Sequence, residues 1–479
     1  MKPLFKLGMI ALASATFLTG CPTSDNVEKP KNLIFFLGDG MGMTDLTAAR
    51  IYSVGEDGDL TIDTLPESAF VRTYSKDAMV TDSAPSMAAY MTGVKMNNEV
   101  ISMSADTSAY DNAGNPYVNG ANSTCPTTGN GTAVRTILEI AKAAGRSVGA
   151  VTTTRLTHAT PAATFSHICH RDGENDIAAQ LVKGTGLTGT SAYNTALADG
   201  VDVLLGGGRK HFLPSTTTGS ARTDTVDLIA KMKANGYTYV ADETAFKAID
   251  PAKTDKLLGL FTSSHMTYDL QRDPTKEPSL SEMSQTAVKI LSKNKKGFFL
   301  MVEGGRIDHA LHETTAQKAL GETIAFDTAI KDVMAQMQTI DPGLKNTLIV
   351  VTADHDHTMV LNGYAKRTGK TVDATQPGVL GFVKDVISGN NVTDANGNPY
   401  TIIGFGIGEN APTARGMLSD SQVFDINYHQ EATIPSAAGS ETHGGADVYL
   451  GATGTGADQF KGVITNTEVF NLIKNASKL

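Results

Sequence analysis

The sequence predicts an α/β fold, a three-layer sandwich with a central, mostly parallel sheet, plus a small insertion. Three observations predict it. The apolar runs Asn32 to Leu37, Phe298 to Val302 and Thr347 to Val351 are continuous rather than alternating, the pattern of strands buried on both faces. Helical patterns alternate with such runs along the chain, as βα units require. The runs are followed by acidic and imidazole side chains, namely Asp39, Glu303, Asp354 and His355. Open α/β sheets gather the carboxyl ends of their strands at one edge, where ligands sit.

At 479 residues the chain can bury a large core. It carries 40 Lys+Arg against 50 Asp+Glu and no long basic run, so a nucleic-acid partner is not expected. Lys2 and Lys6 precede an apolar stretch, Leu7 to Leu18, that is short for a bilayer span. Leu18-Thr19-Gly20-Cys21 then resembles a bacterial lipobox. On that reading residues 1–20 are a lipoprotein signal peptide and lipidated Cys21 attaches the protein to a membrane; an ordinary secretory signal is the alternative. Residues 21–30 read as a tether and 31–479 as the main domain. The expected location is exported: periplasmic or outer-membrane, or extracellular. Export favours a bridge between Cys125 and Cys169 over two free buried thiols, and a loop of that length contributes about 3–4 kcal/mol when unstrained.

Taken in order, the first strand runs into Gly38-Asp39-Gly40 and a helix over Thr44 to Tyr52, with Thr44 as its cap. Phe70 to Tyr74 reads as a strand. Thr81-Asp82-Ser83-Ala84-Pro85-Ser86 leads into a helix, which puts Ser83 where free N–H groups and the helix dipole favour phosphate. The ordinary alternative is that Asp82 or Ser83 merely caps that helix. Residues 102–131 form a polar excursion, Val134 to Ala144 a helix and Ser147 to Thr153 a strand. His158 and Thr160 follow. His167 and His170 read as structural, and Arg171 either grips an oxyanion or is a solvated charge. Helices are expected over Asp176 to Val182 and Leu228 to Asn235, with a strand over Val201 to Leu205. Gly206-Gly207-Gly208-Arg209 lacks phosphate-loop spacing and reads as a turn.

An amphipathic helix, Ser279 to Asn294, delivers the chain to Phe298. After Gly304-Gly305 one helix is expected to run to about Gln338, carrying Asp308, His309 and His312. Asp308 and His312, four apart, share a face and can bind one ion. Residues 364–440, rich in Gly, Asn, Thr and Pro, read as an insertion subdomain. Glu441-Thr442-His443 returns to the core, followed by a strand over Asp447 to Leu450 and a helix over Glu468 to Lys474.

Asp39, Glu303, Asp308, His312, Asp354, His355 and His443 would repel one another as free acids but match two or three divalent cations. Aspartate and histidine suit zinc, and oxygen ligands suit magnesium. With Ser83 as nucleophile and Arg171 as anion clamp, the set points to two-metal phosphoryl transfer.

The motifs G-D-G-M-G, T-D-S-A, H-A-T-P-A, V-E-G-G-R-I-D-H-x-x-H, T-A-D-H and E-T-H-G-G, in that order, resemble the alkaline phosphatase family over nearly everything after residue 30. The resemblance implies hydrolysis of phosphate monoesters through a phosphoserine, two zinc ions, one magnesium ion and a homodimer. It implies that Asp308, His312 and His443 hold the first zinc, and Asp39, Asp354 and His355 the second, beside Ser83. Asp39, Thr160 and Glu303 would hold magnesium, and Arg171 the phosphate. His158 and His309, where enterobacterial members have Asp and Lys, look like the animal branch. His309 would act on phosphate through water and His158 would tune the magnesium site, and the long interval between His355 and His443 implies a crown-like insertion. Animal members carry a fourth, calcium-like site with a glutamate after the Phe of G-L-F; Thr262 follows Phe261 here, which puts that site in doubt. The nearest alternative is a phosphodiesterase or a sulfatase on the same scaffold; a sulfatase would need a C-x-P-x-R-type site, which Cys125-Pro126-Thr127 does not supply. A non-catalytic binding protein could dispense with Ser83 and Arg171.

Overall fold

The computed structural model describes residues 31–369, 378–477 and 479. The signal peptide, Cys21 and the tether expected over residues 1–30 lie outside the described residues. Among the described residues no helix is long and apolar enough to cross a membrane.

One ten-stranded sheet organises the chain. Its strands are β1 (Asn32–Gly38), β2 (Glu67–Arg72), β3 (Ser147–Arg155), β4 (Val203–Gly207), β5 (Thr238–Val240), β6 (Leu257–Leu260), β7 (Phe298–Gly304), β8 (Thr347–Ala353), β9 (Val448–Gly454) and β10 (Gly462–Thr465). Their order is β10-β2-β9-β8-β1-β7-β3-β4-β6-β5. Every neighbouring pair is parallel except the two made by β9, which is antiparallel to β8 and β2. The central strands are buried throughout because helices cover both faces; Leu33 to Leu37 and Phe298 to Val302 have no exposed surface.

Eight of the helices segregate into two groups. Helix α1 (Met43–Val54), α5 (Leu280–Leu291), α6 (Arg306–His312) and α7 (Ala316–Ile340) pack with one another, α7 touching the other three. Helices α2 (Ser83–Thr92), α3 (Ile137–Ala143), α4 (Ala159–Phe165) and α8 (Asn466–Ser477) form the second group, centred on α2. Strand β7 is touched from both groups, so they lie on opposite faces of the sheet.

Several local expectations change. The single helix expected from Gly305 to Gln338 is two helices, broken between His312 and Ala316 with Thr314 at φ 53°. The break has a tertiary cause: the carbonyl of Glu313 is taken by His429 Nδ1 at 2.6 Å and that of Thr314 by the N–H of Gln430 at 2.9 Å. Thr44 is not the cap of α1; Gly42 occupies that position. Helix α3 begins later than Val134 because Thr136 and Glu139 close a capping box at its start.

The long excursion after β8 leaves and returns on a two-residue ribbon, Asp356 opposite Gly444 and His357 opposite His443. Beyond it, Met359–Leu361, Ile403–Gly408 and Ala432–Pro435 form a separate three-stranded sheet. Cys125 and Cys169 are bridged, with Cα atoms 5.9 Å apart. The bridge ties the polar excursion to the segment that carries Arg171.

Candidate functional site

Four strands bring their carboxyl ends to one edge in register. Gly38 pairs with Ala353 on one side and Gly304 on the other, and Glu303 pairs with Thr152. The residues that follow β1 and β8 are therefore Asp39 and Asp354, beside Glu303. The turn after β1 demands glycine: Gly40 has φ 67°, its N–H donates to Asp354 Oδ1 at 3.0 Å, and a Cβ there would stand 2.5 Å from His357 Nε2.

Helix α2 supplies Ser83 as its first residue. Asp82 caps it, accepting the N–H of Ala84 at 2.7 Å. The helix is pinned to the end of β8 by Ser86 Oγ donating to the Asp354 carbonyl at 2.7 Å and Tyr90 Oη donating to the Ala353 carbonyl at 2.9 Å. Ser83 Oγ thereby lies 3.1 Å from His355 Nε2 and 3.3 Å from Asp39 Oδ1.

Three groups of ligand atoms converge. In the first, Asp308, His312, His357 and His443 lie together. The Nδ1 atoms of His312 and His443 face the backbone carbonyls of Glu441 (2.5 Å) and Thr81 (2.8 Å). A carbonyl only accepts, so both Nδ1 atoms carry the proton and both Nε2 atoms present lone pairs. Those two Nε2 atoms are 3.2 Å apart, and Asp308 Oδ1 is 3.2 Å from one and 3.6 Å from the other. Three electron pairs aimed at one point fit a cation. His357 differs: both of its nitrogens meet carboxylates, Asp308 Oδ1 at 2.9 Å and Glu441 Oε2 at 2.5 Å. Burial pushes its pKa down, but these two hydrogen bonds outweigh it and lift it to about 10. His357 therefore orients Asp308 and has no lone pair to spare.

The second group is Asp39, Asp354 and His355. His355 Nδ1 faces the Asp356 carbonyl at 3.2 Å, leaving the Nε2 lone pair 3.4 Å from both Asp39 Oδ1 and Asp354 Oδ2. The third is Asp39, His158 and Glu303. Thr160 Oγ1 joins it, donating to Asp39 Oδ2 at 3.4 Å, and Glu303 Oε2 accepts from the hydroxyls of Thr152 and, at 3.2 Å, Thr154. Glu303 Oε1, Asp354 Oδ2 and His158 Nδ1 are buried with no hydrogen-bond partner among the described residues. Gly305 keeps the space beside them: a Cβ there would meet Thr154 Cγ2 at 2.3 Å and Glu303 Oε1 at 2.6 Å.

The electrostatics agree. Burial, and then repulsion from Asp308 and from Asp39 respectively, pushes Asp39 and Asp354 up to about 7. Burial and Asp39 drive Glu303 well above the carboxylate range. Asp308 is buried too, yet His312 and His357 hold it well below that range. Burial lowers the pKa of His355 and His443 and keeps them neutral; burial acts on His312 in the same sense, but the charge and hydrogen bond of Asp308 raise it in the metal-free fold. Neutral imidazoles among uncompensated carboxylates form a donor set that divalent cations fit.

Arg171 stands beside the nucleophile's cap, its Nη1 donating to Asp82 Oδ1 at 3.1 Å and its Nη2 to His158 Nε2 at 3.2 Å. His309 accepts from Arg306 Nη1 on Nδ1 at 2.9 Å and packs against His265 and His158, with burial lowering its pKa to about 3. His309 belongs to none of the three groups of converging atoms found among the described residues. Thr262 turns its hydroxyl back to the Ser264 carbonyl at 2.7 Å, and no group of converging ligand atoms among the described residues includes it. His167 bonds Glu139 and the Ser102 carbonyl, a structural role.

Sequence reasoning missed His357, Glu441 and His265 as parts of this region, while Asp82 takes the capping role weighed for it. Two of them had a signal: His357 ends the acid-and-imidazole run after β8, and Glu441 opens E-T-H-G-G.

Comparison with known proteins places this geometry. A family model described as Alkaline phosphatase matches residues 30–479. The tissue-nonspecific alkaline phosphatase isozyme of Mus musculus is 36% identical over 478 residues, covering 94% of this chain and 84% of the relative. The alkaline phosphatase of Gadus morhua is 36% identical, covering 91% and 90%. Among solved structures, Thermus thermophilus alkaline phosphatase superposes with a TM-score of 0.65 at 25% identity, covering 98% of this chain and 96% of that one. Matched from its first core strand to its last helix, the chain belongs to the alkaline phosphatase family, as a metal-dependent phosphomonoesterase that resembles the animal enzymes.

Proposed function

We propose that this enzyme hydrolyses phosphate monoesters through a covalent phosphoserine at Ser83, with two zinc ions and one magnesium ion bound. The observation that carries the reading is Ser83 Oγ, 3.1 Å from His355 Nε2 and 3.3 Å from Asp39 Oδ1, at the first turn of a buried helix. Asp308, His312 and His443 would hold one zinc, Asp39, Asp354 and His355 the other, and Asp39, Thr160 and Glu303, with His158 alongside, the magnesium. Bound there, these ions would neutralise the charge that builds on the entering and leaving oxygens. Ser83 Oγ forms a bond to phosphorus as the ester P–O bond breaks, and the alcohol departs with one proton. Water then cleaves the Ser83–phosphate bond, restoring the hydroxyl and releasing inorganic phosphate. The helix dipole at the start of α2 would favour the phosphate, Arg171 would grip two of its oxygens, and His309 would act on it through water.

The same reading takes residues 31–479 as the catalytic domain, 364–440 as an insertion subdomain within it, and a homodimer as the working form. It takes the protein as exported, to the periplasm, the outer membrane or the medium, through the signal in residues 1–20, with attachment through Cys21 as a lipoprotein. Acid quenching during turnover of a labelled monoester tests the chemistry: label is expected on Ser83 and absent from Ser83→Ala. A Ser83→Ala enzyme with wild-type turnover would overturn the covalent route. Elemental analysis of the purified protein tests the ions.

A further inference from the structure

Glu99 is one of few non-glycine residues held at positive φ, 71°. That conformation is uncommon for a side chain of this kind and persists only where the surroundings hold it. Here they are specific. The N–H of Glu99 donates to Asp82 Oδ2, and its carbonyl accepts the N–H of Arg171 at 2.8 Å. One residue thus joins the cap of the Ser83 helix to the backbone of the arginine beside it. Two residues on, Ile101 bridges Ile168, next to the disulfide at Cys169, so the segment is fixed on both sides.

The Glu99 side chain is partly buried in acidic company. Asp77 faces it from the loop after β2, Asp82 from the cap of α2, and Arg171 and Asp172 from the segment it bonds. Tyr110 feels the same carboxylates from the polar excursion and meets the ring of His170 edge to face. Arg171 is the cation among these groups at alkaline pH. Burial and then Asp82 push the Glu99 carboxyl up to about 7. The group is therefore neutral in acid and charged in alkali. It is tied to the backbone of Arg171, whose guanidinium donates to Asp82 and His158 instead.

We propose that Glu99 is a positioning residue whose carboxylate, when ionised, weakens the hold of Arg171 on phosphate and so speeds product release in alkaline solution. The proposal rests on Arg171 being the phosphate clamp. A negative charge beside the clamp opposes the phosphate dianion, while the backbone bonds keep Arg171 in place in either charge state.

Inhibition by inorganic phosphate, measured on the metal-loaded enzyme from about pH 6 to 9, tests it. Glu99→Gln is expected to bind phosphate about three- to tenfold more tightly than wild type above neutrality, the scale of one partly screened charge, and equally at pH 6. In an Arg171→Ala background the same change is expected to have a markedly smaller effect, leaving only the direct repulsion between Glu99 and phosphate. Glu99→Gly removes the charge and the positive-φ cost together, so it should tighten phosphate alike and melt no lower than wild type. If Arg171→Ala binds phosphate as well as wild type, the clamp itself is refuted. If Arg171→Ala binds it poorly while both Glu99 variants follow the wild-type curve, the clamp stands and the role of Glu99 is refuted.

Discussion

The backbone carbonyl of Thr81 accepts the ring N–H of His443 at 2.8 Å, two residues before Ser83. The segment that starts the nucleophile's helix therefore also sets the tautomer of a proposed metal ligand. Chemistry on Ser83 and ion binding at His443 share one stretch of backbone, and changes on either side should be felt on the other.

Replacing His443 by alanine removes one of three lone pairs aimed at a common point. The variant is expected to hold about one tight ion fewer per chain and to lose more than about 100-fold in activity. Elemental analysis after dialysis reads the first and steady-state rates the second. A His443→Ala protein with the full wild-type ion content would remove that residue from the ligand set.

His357 and Glu441 should behave differently. They orient Asp308 and do not complete the donor set, so His357→Gln and Glu441→Gln are expected to weaken metal affinity or activity about 10- to 100-fold. At saturating metal the ion count should recover. If His357→Gln stays one ion short at saturation, His357 is a ligand in its own right.

Removing the ions should change how stability follows pH. In the metal-free fold Asp39 and Asp354 are raised to about 7 from an ordinary value of 3.8, so between those values the folded chain binds more protons than the unfolded one. Their contribution is fully present below about pH 4 and is lost as pH rises through 7. His357, raised to about 10, acts in the same sense at higher pH. Loaded protein needs these carboxylates ionised, so cation affinity runs the opposite way. The gap in melting temperature between loaded and chelated protein should widen from about pH 5 to 8; a constant or narrowing gap in scanning calorimetry would contradict the assignment.

Breaking the Cys125–Cys169 bridge should cost about 3–4 kcal/mol of stability, from a loop of about 45 residues. Because Cys169 lies two residues from Arg171, the paired serine variant is also expected to bind phosphate more weakly. Unchanged phosphate inhibition together with a lowered melting temperature would confine the bridge to a stabilising role.

The strands that carry Asp39, Glu303 and Asp354 were legible because burial on both faces leaves an unbroken apolar run, and their register put the three carboxylates together. His312 was legible from its spacing to Asp308. Other features depend on contacts no local pattern records. The helix break at Thr314 exists because residues 429 and 430, more than a hundred positions away, take its carbonyls. Glu441 matters through His357, Thr358 and the ring of His312, each remote in sequence. The short strands Thr238–Val240 and Leu257–Leu260 hold too few residues to announce themselves.

The ribbon that sets His357 opposite His443 is also a coupling point of minimal size. Everything strung between those two histidines leaves and rejoins the core at that one narrow neck, while His429, Gln430 and Arg367 hold other parts of it to the body. Lengthening that span costs little, since closure entropy grows only with the logarithm of its length. Away from those contacts the span can thus be lengthened while the spacing of the reactive groups beneath stays as it was.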